Sequence, residues 1–159
     1  MDTQTENIPQ QANRVKRYWG DRPMGEVRAR IKFTNVDDVM RFERGEISES
    51  DVRRFEVDAV VDAGAIQTVI PQAVADALGV SIRGKRPVRY ADSRSEIVGV
   101  TFPLIAEIMG RDTAEECLVL GSEVLIGQTM LEKTDLLVDC ANARLVPNPK
   151  NPDGPVFRV

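Results

Sequence analysis

The segment Phe55-Glu56-Val57-Asp58-Ala59-Val60-Val61 alternates at first, then turns wholly apolar, and ends on Asp62-Ala63-Gly64-Ala65. That is how a strand reads as it enters a core. A carboxylate followed two residues later by glycine marks a tight turn at the end of the strand. Ile66-Gln67-Thr68-Val69-Ile70 and Pro71 come next, and then a short helical pattern that reaches Leu78-Gly79. Far along the chain, Val124-Leu125-Ile126-Gly127 repeats the theme of apolar strand, glycine and short helix pattern. Taken alone, Asp-x-Gly is a common strand-ending turn in which Asp bonds its own backbone. The second segment makes the first informative.

The stretches between these two segments read mainly as strands. Val27, Ala29, Ile31 and Phe33 alternate with Arg28, Arg30 and Lys32, as in a half-exposed strand. From Asn35 to Arg44 the period changes, and Val36, Val39, Met40 and Phe42 fit a short amphipathic helix opened by Asn35 or Asp37 and closed by Gly45. Residues 35–51 read as an insertion between two strands. Pro71 and Gly79 bracket a two-turn helix with Val74 and Leu78 on its inner face. Val88-Tyr90 and Ile97-Val98-Val100 flank Ala91-Asp92-Ser93-Arg94, a hairpin tip. Phe102–Met109 and Glu116–Leu120 are further strands, with a turn expected at Gly110-Arg111-Asp112. Gln128–Lys133 is a short helix, and Asp139-Cys140-Ala141-Asn142 turns one last strand into another. Residues 1–24 are expected to be a polar, partly disordered lead, with a basic and aromatic cluster at Arg14, Lys16, Arg17, Tyr18 and Trp19. Residues 150–159 are expected to be a proline-rich tail.

Composition removes several classes of chemistry. The chain has 159 residues, enough for one domain with a real core. It has no histidine, which excludes Ser-His-Asp and Cys-His catalysis. Cys117 and Cys140 lack the spacing of a zinc site and read as reduced, partly buried thiols. No metal and no cofactor are expected. A net charge of −4 argues against a nucleic-acid partner, and no apolar run reaches the length of a membrane helix. The N-terminus is polar and carries no secretory pattern, so a cytoplasmic location is the expectation. Any proton chemistry must fall to carboxylates.

The Asp-x-Gly turn paired with the later apolar-apolar-Gly segment resembles the retropepsin-like aspartic proteases. The likeness spans roughly residues 25–149. Gly25–Ile31 is similar to the family's first strand, Val60–Ala65 to its catalytic loop, and Arg89-Tyr90-Ala91-Asp92-Ser93 to its flap, a hairpin of about residues 86–100. Leu118–Gly121 and Val124–Gly127 are similar to its second half, and Leu136–Pro147 to its closing hairpin. The segment from Ile70-Pro71 to Leu78-Gly79 is similar to that of many bacterial members. The family carries Asp-Thr-Gly or Asp-Ser-Gly, and here Ala63 takes the middle position.

The resemblance implies a mainly β, closed-barrel acid-protease fold with short helices, active as a homodimer on polypeptide substrates. It implies Asp62 as the catalytic carboxylate, Ala63, Gly64 and Ala65 as the active-site loop, Tyr90, Ala91 and Asp92 as the flap over the substrate, and Ile126-Gly127 as the second-half loop. Hydrolysis without a covalent nucleophile needs two carboxylates that share a proton, one acting as acid and the other activating water. One Asp-x-Gly loop per chain then calls for a second chain. The alternative is a retropepsin-fold module that dimerises or binds peptides without catalysis. Asp139 and Asp58 are expected to be structural, Asp139 as a turn former and Asp58 as a solvated or arginine-paired side chain.

Overall fold

The computed structural model describes residues 25–159, so the lead and its Arg14–Trp19 cluster lie outside the described residues. Strand β1 (Val27–Asn35) runs antiparallel to β2 (Arg54–Val61), with Val27 opposite Val61 and Thr34 opposite Arg54. The alternation seen in the sequence sorts the faces. Ile31 and Phe33 are wholly buried, while on the outer face Arg30 pairs with Glu56 across the strands and Lys32 with Glu107. On its other side β1 pairs with β6 (Leu104–Ile108), which turns back into β7 (Arg111–Glu115).

The remaining strands of the sheet are β3 (Val69–Ile70), β4 (Ile82–Arg89), β5 (Ser95–Thr101), β8 (Leu118–Val119) and β9 (Leu125–Ile126). The sheet runs β4-β5-β8-β3-β9-β2-β1-β6-β7. It is the mainly β, retropepsin-like fold expected, in the form of a curled half-barrel whose edges are β4 and β7. A separate hairpin of β10 (Leu136–Asp139) and β11 (Arg144–Pro147) closes the chain's ordered run.

Three short helices cover the sheet: α1 (Val36–Glu43), α2 (Gln72–Leu78) and α3 (Gln128–Thr134). Leu78 and Met130 join Phe33, Ile70, Leu104, Ile108 and Ile126 in the core, each fully buried. Each such side chain contributes about 1.5–3 kcal/mol on leaving water. Pro71 stands just before α2, in an extended conformation, and Gly79 ends the helix in the left-handed region at φ +61°.

Asn35 ties α1 to the end of α2. Its Oδ1 caps α1 by accepting from the Asp38 amide at 3.0 Å, and its Nδ2 donates to the Leu78 carbonyl at 2.7 Å. Asp38, buried one turn later, accepts from the Arg53 Nε at 2.7 Å, Nη2 at 2.9 Å and amide at 3.0 Å. This clamp fixes the entry of β2, the strand that ends on Asp62.

Two details depart from the sequence reading. The turn before β7 is Met109-Gly110, both with positive φ, and Arg111 and Asp112 belong to the strand. Arg111 is buried because its guanidinium donates to the carbonyls of Thr134, Asp135, Asn151 and Pro152. Cys117 is wholly buried, which pushes its thiol far above the ordinary cysteine value, whereas Cys140 is exposed. The proline-rich stretch is fastened at its start, where Asn148 and Asn151 donate to the Asp135 carboxylate at 2.9 and 2.6 Å.

The Arg53 guanidinium bonded to Asp38 holds that carboxyl below the usual carboxylate range. A lowered folded-state value means that the stabilisation is complete above the unfolded value, about pH 4, and is lost as pH falls through the folded one. Asp38→Asn is expected to cost about 2 kcal/mol at neutral pH and to flatten the loss of stability below about pH 4. Denaturant midpoints of both proteins across the acid range check this.

Candidate active site

Asp62 follows β2 and is held from behind by β9. The two strands run parallel, Val60 beside Leu125 and Val61 beside Ile126, and the Asp62 amide donates to the Ile126 carbonyl at 2.9 Å. The carboxylate is half-buried, and its Oδ1 accepts from the Gly64 amide at 3.0 Å. The Ala65 amide closes the turn on the Asp62 carbonyl at 3.1 Å. A Cβ on Gly64 would stand 3.2 Å from Asp62 Oδ1, tight enough to push the carboxylate aside. Ala63 is exposed at the top of the loop.

The second apolar-Gly segment locks this loop in place. Gly127 passes so close to the descending chain that a Cβ there would lie 2.4 Å from the Gln67 carbonyl carbon and 2.7 Å from the Thr68 nitrogen. Its φ of −85° suits any residue, so glycine is required for space and not for conformation. The buried Thr68 hydroxyl accepts from the Gly127 amide at 3.2 Å. The first two amides of α3, Gln128 and Thr129, donate to the Ala65 and Ile66 carbonyls at 2.8 and 3.0 Å. Helix amides with no partner inside the helix therefore satisfy loop carbonyls. Thr68 and these two amides were not singled out in the sequence. Thr68 sits 59 residues from Gly127, and no local period signals such a pair.

The hairpin β4–β5 spans residues 82–101, longer than the expected 86–100. It roots on β8, which pairs with β3 just after the Asp62 loop. Its tip is Tyr90 to Arg94, closed by the Tyr90 amide on the Arg94 carbonyl at 2.8 Å, with Ser93 in the left-handed region at φ +69°. Asp92 accepts from Arg94 Nε at 2.6 Å, the guanidinium lies over the Tyr90 ring at 5.1 Å, and the Tyr90 hydroxyl donates to Glu96 at 2.7 Å. That carboxylate raises the Tyr90 phenol above its ordinary value. Ala91 is exposed at the tip. Among the described residues, the tip's hydrogen bonds are internal and none reaches the Asp62 loop.

Residues 48–133 match the model of the family described as gag-polyprotein putative aspartyl protease. The chain belongs to that family. The matched span begins before β2 and ends inside α3, so it holds the Asp62 loop, the β4–β5 hairpin and the Gly127 segment of the aspartyl protease domain. No curated protein sequence matches the chain significantly. Asp139, the other carboxylate that ends an apolar strand, lies beyond the matched span and closes the β10–β11 turn by accepting from Asn142 and Arg144. Those bonds hold its carboxyl below the usual range. Asp58 is exposed on β2, and Arg28 donates to its backbone carbonyl. Among the described residues, no cluster of three or more metal-ligating side chains occurs, and no helix is long and apolar enough to cross a membrane.

Gly127→Ala must displace backbone, and a loss of about 3 kcal/mol or more is expected. Thr68→Val keeps the shape and removes the acceptor, for an expected cost of about 1–3 kcal/mol. Urea unfolding measures both. Thr68→Ser, which restores the oxygen, is expected to recover part of the loss.

Proposed function

We propose that the chain is an aspartic endopeptidase that works as a homodimer, with Asp62 of each protomer meeting at the two-fold axis. The observation that carries this reading is the Asp62 loop itself. A half-buried carboxylate is oriented by the Gly64 amide and braced from behind by Gly127, and among the described residues no second carboxylate hydrogen-bonds to it. Two such loops across an axis would place two carboxylates around one water. One carboxylate takes a proton from the water as it attacks the peptide carbonyl carbon, and the other gives its proton to the carbonyl oxygen. Collapse of the resulting diol, with a proton passing to the nitrogen, breaks the C–N bond. The sharing of one proton belongs to the pair.

The surfaces available for dimerisation fit this arrangement. Ile66, beside the loop, is 72% exposed. The β10–β11 hairpin has no strand paired on either outer edge among the described residues, and Leu137 on β10 is exposed. The Asp62 loops and the terminal strands are the proposed contact. Tyr90, Ala91 and Asp92 are proposed to cover the substrate.

Ala63 favours a second reading, a dimerising or peptide-binding module of low or no activity. It offers no hydroxyl to bond across the axis, which costs each protomer about 0.5–1.5 kcal/mol of dimer stability. Bracing of the loop within its own protomer argues that the carboxylate keeps its position regardless.

Cleavage of an unfolded protein substrate is expected to peak on the acid side of neutrality and to vanish in Asp62→Asn. Full activity of that variant would overturn the assignment. Ala63→Thr is expected to tighten the dimer by about 1 kcal/mol per restored bond and to speed cleavage, whereas Ala63→Val gains neither. Sedimentation across the micromolar range and peptide turnover read the two effects.

A further inference from the structure

The edge strand β4 carries a concentration of positive charge, most of it unpaired among the described residues. Arg83, Lys85, Arg86 and Arg89 crowd its eight residues. Arg83 pairs with Glu116. Lys85, Arg86 and Arg89 are exposed and have no carboxylate within salt-bridge distance among the described residues. Elsewhere in the described chain up to residue 147, every arginine and lysine has such a carboxylate, except Arg111, which is spent on four carbonyls. In a stretch that pairs its other surface cations, three neighbouring ones without a partner among the described residues mark a place where negative charge is missing.

The backbone at the same place is open. β4 ends the sheet, so among the described residues one side of it has no strand partner. The Tyr90 amide bonds to Arg94, and the ladder runs without a shift from there to Gly84. Alternation in an antiparallel ladder then turns the backbone groups of Lys85, Pro87 and Arg89 outward. The Lys85 carbonyl, one of these, is met by its neighbour's guanidinium at 2.9 Å. Among the described residues the Arg89 amide and carbonyl have no partner and can take an added strand, while Pro87 offers only a carbonyl. Arg86 projects from the face shared with Val88, Tyr90 and the buried Val98 and Val100, and Lys85 and Arg89 project from the opposite face. Lys85 and Arg89 are about 13 Å apart along the strand, the reach of two like-facing side chains four residues apart on an extended partner.

We infer that the β4 edge takes an extended polypeptide bearing acidic side chains, which pairs with the backbone near Arg89 and sets its carboxylates against Lys85, Arg86 and Arg89. In the endopeptidase reading, on which the word substrate rests here, this makes acidic segments the preferred substrate class. Each exposed charge pair contributes little alone, and the three together give about a tenfold preference at low salt. Salt near 0.5 M, with a Debye length of about 4 Å, removes most of it.

The test uses the full chain carrying Asp62→Asn, so that binding is measured without cleavage. The probes are a fluorescein-labelled peptide with Glu at alternate positions, the same peptide with Gln, the same peptide with Lys, and an oligothymidylate of similar length. Anisotropy is expected to show about tenfold tighter binding of the Glu peptide at low salt, lost in Lys85→Gln/Arg86→Gln/Arg89→Gln and reversed toward a Lys peptide in the triple Glu variant. A control removes equal charge at Arg30, Lys32 and Arg44 and is expected to leave the preference intact. Thermal melts confirm that each variant is folded. Equal binding of the Glu and Gln peptides, an unchanged triple variant, or tighter binding of the oligothymidylate overturns the inference. Failure of the two proposals is distinguishable. Asp62-dependent cleavage with no acidic preference refutes this inference alone. Acidic binding by β4 with no cleavage by the wild-type chain refutes the endopeptidase reading and leaves β4 as a docking edge.

Discussion

Among the described glycines, Gly127 makes the closest approach to another stretch of backbone, and the rest of the site depends on it. Gly127 and the Gln67–Thr68 peptide touch with no room for a single methyl group. That contact lets β9 lie parallel to β2 and behind the Asp62 turn, and it lets the first amides of α3 reach the Ala65 and Ile66 carbonyls. The loop is therefore fastened at three levels: by a strand bond at Asp62, by a side-chain bond at Thr68 and by helix amides beyond. Backbone groups that must be paired once they leave water supply most of this fastening, so the loop's shape depends little on which side chain tops it. Ala63 can occupy that position without disturbing the protomer.

A second support acts at the far end of β2. Asp38 and Arg53 join α1 to the strand's entry, and Asn35 joins the same helix to the end of α2. Residues that read as an insertion in the sequence are thus tied into the frame that carries the candidate carboxylate. The Arg53 guanidinium also fills the space over Gly79, where a Cβ would meet its Nη1.

Much of the architecture was legible where physics is local. Alternation in β1, the Asn35 cap, the glycine ending α2 and the strand that runs into Asp62 all follow from side-chain period and turn chemistry within a few residues. The pairing of the Asp62 and Gly127 segments could be read as a resemblance, and the matched family bears out its coarse form. Local rules failed where a polar residue finds a distant partner. Arg111 reads as a turn residue by its charge, yet it is buried because four carbonyls from α3 and the C-terminal stretch converge on it. Thr68 looks like one more β-branched strand residue, and its role appears only once Gly127 is beside it. The cations of β4 are visible as charges, but which of them lack a carboxylate emerges only from the fold, which gives Arg83 its partner in Glu116 and leaves Lys85, Arg86 and Arg89 without one among the described residues.

The β4–β5 hairpin is stiff at one end and irregular at the other. Around the tip, Asp92, Arg94, Tyr90 and Glu96 form a continuous chain of polar contacts. At the root the ladder slips between Ile82 and Gly84, and Gly99 leaves its side of the pair without a side chain, filled by Ile82. Such a slip is where a strand bends. The tip's contacts hold it as one unit, and the direction in which it projects is set by the bend at the root. The arm of about seven residues between them is roughly 23 Å long, so a difference of about ten degrees in that bend shifts the tip by about 4 Å. The residue that fills the space beside Gly99, Ile82, thus sets the position of a tip about seven residues away.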